Sequence, residues 1–307
     1  MSSKERFLAA LNRKIPDRLP VTTHHVMPYF LKKYMNDISY QDFFDEFGLD
    51  PINWVIALKP DQDQGDYFDP AHTNPGFLEP RRICSDNWII STENLPHEEY
   101  KTVRYSFKTP KKTLSMVLQS NEYTSWVSDR LIKEKSDIEL VARYAPKPLC
   151  DVDKVNREAQ LFGDRGLIRG LLPGFDVYGQ SGCWQDAAVL FGIENLIMET
   201  FSDSSWVHEF LKILQERKTV YLRSCQGAKF DLIEHGGGDA SSTVISPQIL
   251  DDFVIPYDAP TIDIAHQVDQ KIVYHTCGGM MPFLEPLADM NPDALETFTP
   301  PEMGGDT

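Results

Sequence analysis

A histidine and a cysteine stand two positions apart near the C-terminal end of the sequence, in the segment KIVYHTCGG. His275 and Cys277 are both residue types that hold zinc in proteins. Residues two apart on an extended strand point to the same face, so the two side chains can act as co-ligands. The same pattern also fits an ordinary strand end with a glycine turn behind it, so its meaning depends on the surrounding fold.

Polar residues end two further apolar segments of the chain. Glu234, His235 and Asp239 end or follow the segment KFDLI, and Glu296 ends the segment DALE. Carboxylate and imidazole groups are the usual general acids and bases of enzymes. Glycines 236–238 leave room for a ligand, although a tight turn needs glycine equally well. We expect Glu234, His235 and Asp239 to be catalytic groups that face the same cavity as His275.

The elements that position these residues alternate between strand and helix from about residue 150 onward. Apolar strands are predicted at GLIRGLL, KFDLIEH, KIVYH and DALE, and a further strand at PDRLPVTTHH, residues 16–25. Helices are predicted at about 4–13, 39–50, 183–199 and 281–290, around Trp206 to Leu214, and from Ser246, an N-cap followed by Pro247. Strands joined by crossover helices form a parallel sheet, whose chemistry collects at the carboxyl ends of its strands.

The first half of the chain contains a different pattern. The segment TVRYSFKTPKKTLSMVLQ alternates apolar and polar residues on both sides of TPKK, which is turn chemistry. This predicts a β-hairpin over residues 103–118. A strand buried on both faces does not alternate in this way, so we expect the hairpin to lie outside the parallel sheet.

Composition excludes several classes of function. The net charge of −16 over 307 residues has the wrong sign for binding nucleic acid or anionic lipid. No apolar run approaches the roughly 18 residues of a membrane span. The charged residues around Phe7 and Leu8 do not fit a signal peptide. Five widely spaced cysteines do not form a disulfide framework, which fits a reducing cytoplasm.

Four segments resemble the uroporphyrinogen decarboxylase superfamily. They are RFLAALNRKIPDRLPV, SFKTPKKTLS, ISPQILDDFVIPY and VYHTCGGMMPFLEPLADMNPDALET. The resemblance implies a (β/α)8 TIM barrel within one domain spanning residues 1–307. The N-terminal extension and its hairpin would occupy about 1–150 and the barrel elements about 151–307.

Two features favour one branch of this superfamily over the others. The decarboxylase has an arginine-rich stretch that grips substrate carboxylates, whereas the corresponding THHVMPYFLKKYM contains no arginine. The HTCG motif instead resembles the zinc-dependent methyltransferases. That branch moves methyl groups between a corrinoid protein and a thiol or a small methylated substrate. The alternatives are a decarboxylase-like carboxy-lyase and a non-catalytic member of the fold.

The methyltransferase resemblance implies zinc held by His275, Cys277 and a second cysteine from a later barrel strand. The sequence offers five barrel strands and ends at Thr307, so we expect the last strands and that cysteine to lie beyond it. The other cysteines (Cys84, Cys150, Cys183 and Cys225) do not fall at the required place. Within the chain, Glu296 on the next strand is the best substitute for the third ligand.

Overall fold

The computed structural model describes residues 1–72, 80–96, 99–175 and 180–307. The described helices are α1 (Ser3–Leu11), α2 (Pro28–Tyr34), α3 (Tyr40–Phe47), α4 (Asp137–Tyr144), α5 (Val152–Phe162), α6 (Cys183–Phe191), α7 (Ile193–Ser202), α8 (Ser204–Ser224), α9 (Pro247–Ile249), α10 (Ile255–Gln267) and α11 (Leu284–Asp289). The described strands are β1 (Ile52–Trp54), β2 (Leu58–Lys59), β3 (Gly65–Phe68), β4 (Arg81–Cys84), β5 (Ile89–Leu95), β6 (Lys101–Lys108), β7 (Thr113–Ser120), β8 (Ser125–Asp129), β9 (Leu149–Cys150), β10 (Leu167–Leu171), β11 (Leu232–Gly236), β12 (Ile272–His275) and β13 (Ala294–Glu296).

The centre of the fold is a parallel sheet of five strands in the order β1-β10-β11-β12-β13. Every neighbouring pair in this sheet is parallel. The successive strands from β10 to β13 are joined through helices, as the alternation in the sequence predicts. The chain therefore has an α/β fold with a parallel central sheet, and closure into an eight-stranded barrel stays a prediction.

The strand predicted over residues 16–25 is wrong. This segment is irregular, and Leu19 and Val21 are 78% and 51% exposed. Pro16 and Pro20 lack backbone N–H groups, and the backbone of Val21 pairs with Asp50 instead of a strand. The strand next to β10 is instead β1. It has only three residues, which are too few to show a periodic pattern in the sequence.

One face of the central sheet, which we call the inner face, has two layers. The register pairs Ile52 with Leu167 and Val273 with Ala294, and these apolar residues form the lower layer. Phe7 of α1 packs against this layer. Two residues further along each strand, on the same face, the side chains are Trp54, Arg169, Glu234, His275 and Glu296. The inner face is thus apolar at its base and polar at the carboxyl ends of the strands.

The opposite face of the sheet carries the main core. Ile168, Ile233, Ile272 and Tyr274 are fully buried there in one cluster with residues of α5, α6, α8 and α10. The 21-residue α8 supplies the apolar stripe around Trp206 that the sequence predicts. Helices cover this side, so the polar layer of the inner face is the part of the sheet available for chemistry.

The hairpin prediction is confirmed. Strands β6 and β7 pair in antiparallel register around the TPKK turn, within a separate sheet of order β5-β6-β7-β8. The side chains of Tyr105, Phe107 and Met116 are buried. The hairpin therefore lies outside the parallel sheet that holds the polar layer.

Several helix boundaries follow local sequence signals. The Ser246 side chain accepts a hydrogen bond from the Ile249 backbone, as an N-cap does. The single helix predicted over 183–199 is instead two helices, α6 and α7, because Gly192 adopts a φ of 100° between them. A π-helical turn, Leu250–Val254, precedes Pro256, where a break or kink is predicted. Every described helix is too short or too polar to span a bilayer.

Candidate functional site

Four side chains with metal-binding atoms meet at the carboxyl ends of the parallel strands. Glu234, His275 and Glu296 come from β11, β12 and β13, and His24 comes from the segment between α1 and α2. One ligand atom from each lies within 4.8 Å of the others. His275 and Glu296 are register partners on neighbouring strands, so the sheet itself holds them side by side.

Arg169 of β10 lies among these groups and joins the two carboxylates. Its Nη2 atom is 2.6 Å from Oε2 of Glu234 and also donates to Oε1 of Glu296. The arginine is buried, at 4% exposed, and its guanidinium lies 4.4 Å from the centre of the Trp54 ring. We call His24, Arg169, Glu234, His275 and Glu296 together the site cluster.

The histidines of the site cluster are bound to its carboxylates. Nε2 of His24 lies 2.9 Å from Oε2 of Glu234, and Nδ1 of His275 lies 3.0 Å from Oε1 of Glu296. Burial alone lowers the pKa of His275, but hydrogen bonds with Cys277 and Glu296, and the charges of Glu234 and Glu296, raise it to about 10. Burial alone raises the pKa of Glu296, but His275 and Arg169 lower it to about 2. The site cluster thus favours a carboxylate beside an imidazolium.

A second group of arginines and carboxylates holds the segment that carries His24. Asp50 is buried, and its carboxylate accepts hydrogen bonds from Arg6, Arg18 and the backbone N–H of Val21. Asp17 pairs with Arg6. We call Arg6, Asp17, Arg18 and Asp50 the anchor cluster. Further along, the Trp54 indole donates to the His24 carbonyl at 2.9 Å, which fixes His24 over the sheet.

Cys277 lies just after the end of β12 and is exposed. Its side chain hydrogen-bonds with His275 and contacts Gly238, where any side chain would collide with the sulfur. It does not belong to the four-residue group whose ligand atoms lie within 4.8 Å. The two residues of the HTC motif are thus in contact, and a shared role as zinc ligands stays a prediction.

The expectation that His235 faces the same cavity as His275 is wrong. The His235 side chain is 0% exposed and lies on the opposite face of β11, 3.2 Å from Asp258 of α10. Successive residues of a strand point to opposite faces, so Glu234 and His235 cannot both reach the inner face. Of the two, Glu234 is the one in the site cluster.

Asp239 is half-buried beyond the end of β11 and pairs with Gln185 of α6. Its Oδ2 atom accepts a hydrogen bond from Gln185 at 2.7 Å, and its backbone N–H donates to the same side chain. Burial raises the pKa of Asp239, and Gln185 partly offsets this rise. Asp239 lies outside the four-residue group of potential ligands, and a catalytic role for it stays a prediction.

Sequence reasoning missed two members of the site cluster. His24 stands in a segment predicted as a strand, and 210 residues separate it from its partner Glu234. Arg169 stands inside the apolar strand LIRGL, and a lone arginine there was a usable signal. A buried arginine in a parallel strand requires carboxylate partners, and the acidic residues on the following strands supply them.

The donor set fits a divalent cation. Imidazole nitrogen and carboxylate oxygen are ligands of zinc, and the thiol of Cys277 adjoins them. Two carboxylates face one guanidinium in the site cluster, so the negative charge exceeds the fixed positive charge. His24, Glu234, His275 and Glu296 thus present both the ligand atoms and the charge that bind a metal ion.

Comparison with known proteins agrees with the resemblance seen in the sequence. Residues 173–299 match the sequence model of the uroporphyrinogen decarboxylase family, which confirms the superfamily resemblance for this stretch. No curated protein matches the chain in sequence. A solved methyltransferase from Methanosarcina mazei is similar in structure, with a TM-score of 0.56 and 15% identity over 96% of this chain and 75% of that one. At this identity the likeness concerns the fold.

Proposed function

We propose that this chain is a zinc-dependent methyltransferase that moves a methyl group between a corrinoid protein and a thiol or a small methylated substrate. The observation that carries the proposal is the meeting of His24, Glu234, His275 and Glu296 within 4.8 Å, with the Cys277 side chain beside His275. The structural similarity to a methyltransferase supports the choice of reaction.

The proposed ligands are His275, Cys277 and Glu296, which leaves a fourth position for the substrate. Zinc, when bound, makes a thiol more acidic or polarises an ether oxygen, so that a thiolate forms or a leaving group departs more readily. Arg169 donates a hydrogen bond to Glu296, which holds the carboxylate in place and partly neutralises its charge. His24 and Glu234 adjoin His275 and Glu296 and would hold or release a proton beside a bound substrate.

The same site could serve methyl transfer in either direction. With a thiol as substrate, a methylated corrinoid protein would be the methyl donor and the thiol would lose its proton. With a methylated compound as substrate, a reduced corrinoid protein would be the methyl acceptor and the leaving atom of the substrate would take a proton. The first direction needs a group that takes a proton and the second a group that gives one, and in this proposal Glu234 and His24 fill both roles.

Zinc content tests the proposal most directly. The full chain is purified as wild type, Cys277→Ala and Cys84→Ala, and zinc per chain is measured together with methyl transfer to free reduced cobalamin, followed by visible absorption. We expect about one zinc per chain in the wild type and in Cys84→Ala, a matched cysteine of the distant strand β4. We expect both zinc and transfer to be lost in Cys277→Ala. Equal zinc content in all three proteins, or none in the wild type, would falsify the proposal.

The match to the decarboxylase family favours one alternative, a carboxy-lyase. Such an enzyme needs cationic groups for substrate carboxylates. In the site cluster, the arginine is already bound to Glu234 and Glu296. Release of carbon dioxide from uroporphyrinogen by the metal-free protein would support the carboxy-lyase and contradict the methyltransferase.

A further inference from the structure

A buried polar group lies directly behind the site cluster, on the helix-covered face of the sheet. His235 and Tyr274 are each 0% exposed, and Asp258 of α10 is 1% exposed. His235 follows Glu234 on β11, and Tyr274 precedes His275 on β12. Neighbouring residues of a strand point to opposite faces. His235 therefore lies directly behind Glu234, and Tyr274 lies directly behind His275.

A single carboxylate contacts both strands. Oδ2 of Asp258 accepts a hydrogen bond from the Tyr274 hydroxyl at 2.8 Å, and Oδ1 lies 3.2 Å from Nε2 of His235. His235 and Tyr274 are also register partners on neighbouring strands, so Asp258 contacts two residues that lie side by side. The helix is thereby tied to both strands within one residue of Glu234 and His275.

Each ring nitrogen of His235 faces an oxygen atom. Its Nδ1 atom lies 2.9 Å from the carbonyl oxygen of Ser181, and its Nε2 atom faces the carboxylate. Burial alone raises the pKa of Asp258, but the charge of His235 and the hydrogen bonds from His235 and Tyr274 outweigh it and lower the pKa.

The end of β11 is fixed by the same group. The Ser181 hydroxyl donates to the carbonyl of Gly236 at 2.9 Å, next to the His235 contact with the Ser181 backbone. Gly236 has a φ of 102°, and a side chain there would collide with the carbonyl of His275. The carboxyl ends of β11 and β12 therefore approach closely, next to the contacts that Ser181 and Asp258 make with them.

We infer that Asp258 is a positioning residue, which sets the spacing of Glu234 and His275 by binding His235 and Tyr274 behind them. This inference rests on the proposed metal site. A buried charge costs stability unless it is paired, and here the pairing joins the two strands that carry site residues. Groups that hydrogen-bond directly to metal ligands change metal affinity by roughly 10–100-fold when they are removed, and Asp258 acts through the strand backbone, so we expect an effect at the lower end of that range.

The chain offers a matched pair of variants for the test. Tyr274→Phe removes the hydrogen bond to Asp258, and Tyr105→Phe removes a buried hydrogen bond of the same length, 2.8 Å, from Tyr105 to Asp69 in the hairpin sheet. Each full-length protein is titrated with Co²⁺, whose visible spectrum reports the geometry of its ligands, and its melting temperature is measured. We expect both variants to melt at lower temperature, but only Tyr274→Phe to bind Co²⁺ about tenfold more weakly, with shifted absorption bands.

Asp258→Asn provides a second variant that keeps the shape of the side chain and removes its charge. We expect it to change the Co²⁺ spectrum in the same direction as Tyr274→Phe. If the wild type binds Co²⁺ and both variants of the network keep its affinity and spectrum, the inference is overturned while the proposed function stands. If the wild type binds no Co²⁺, the proposed function fails and the inference fails with it.

Discussion

The anchor cluster and the site cluster both combine arginines with carboxylates, in different proportions. The anchor cluster contains two arginines and two aspartates, so its charges balance. The site cluster contains two glutamates and one arginine, together with two histidines. Both clusters lie partly or wholly out of solvent, where an unpaired charge is costly.

The difference in charge balance agrees with the proposed metal site in the site cluster. Asp50 has a full set of fixed partners: Arg6, Arg18, the Ser3 hydroxyl at 2.7 Å and the Val21 backbone. In the site cluster the positive and negative charges become equal only when His275 carries a proton, and its pKa of about 10 keeps that proton bound at neutral pH. A divalent cation displaces such a proton when it binds. The balanced cluster supports the fold, and we propose that the acidic one exchanges a proton for a metal ion.

Removing one carboxylate from each cluster should give the largest contrast. Glu296→Gln leaves one carboxylate opposite Arg169 and removes a proposed ligand, so we expect zinc affinity to fall by about 100-fold or more. Asp17→Asn removes an exposed carboxylate of the anchor cluster and should leave zinc affinity unchanged. Competition with a chromogenic chelator measures both. Equal losses in the two variants would contradict the assigned roles.

Neutralising the buried carboxylate of the anchor cluster should affect stability. Asp50→Asn leaves Arg6 and Arg18 facing a neutral group, and we expect the free energy of unfolding to fall by about 3 kcal/mol at pH 7. Zinc affinity of the folded protein should stay close to that of the wild type. Urea unfolding and chelator competition on the same samples separate the two effects, and a variant of wild-type stability would show that the anchor is dispensable.

The same variant gives a pH dependence with a defined sign. Burial alone raises the pKa of Asp50, but hydrogen bonds from Val21, Ser3, Arg18 and Arg6 lower it below its ordinary value of 3.8. A carboxyl group with a lowered pKa contributes its stability above pH 3.8 and loses it as the pH falls further, through the folded-state pKa. The difference in stability between wild type and Asp50→Asn should therefore shrink below pH 3.8. A constant difference would contradict this account.

The smallest effect is expected at the exposed side of the anchor cluster. The Arg18 side chain is 45% exposed although it binds the buried Asp50. Water can replace much of its interaction, and Arg6 still pairs with the carboxylate, so Arg18→Gln should cost only about 0.5 kcal/mol. Urea unfolding at low and high salt measures this cost. A loss as large as that of Asp50→Asn would mean that Arg18, despite its exposure, is the main partner.

The sequence by itself determined the parallel strands and the residues at their carboxyl ends. Apolar segments separated by helical ones predict β10 to β13, and Glu234, His275 and Glu296 stand where those strands end. Side chains alternate between the two faces of a strand, so the sequence alone already indicates that Glu234 and His235 do not face the same cavity. These features are local, because each depends on residues within one element or its neighbours.

Only the tertiary structure decided which distant groups complete the site. His24 reaches Glu234 across 210 residues, from a segment without regular structure, and β1 joins the sheet with only three residues. A periodic pattern shows which face of an element is buried but not which loop returns to cover it. That choice depends on long-range pairing, here of Asp50 with Arg6 and Arg18, whose energy exists only when the chain is folded.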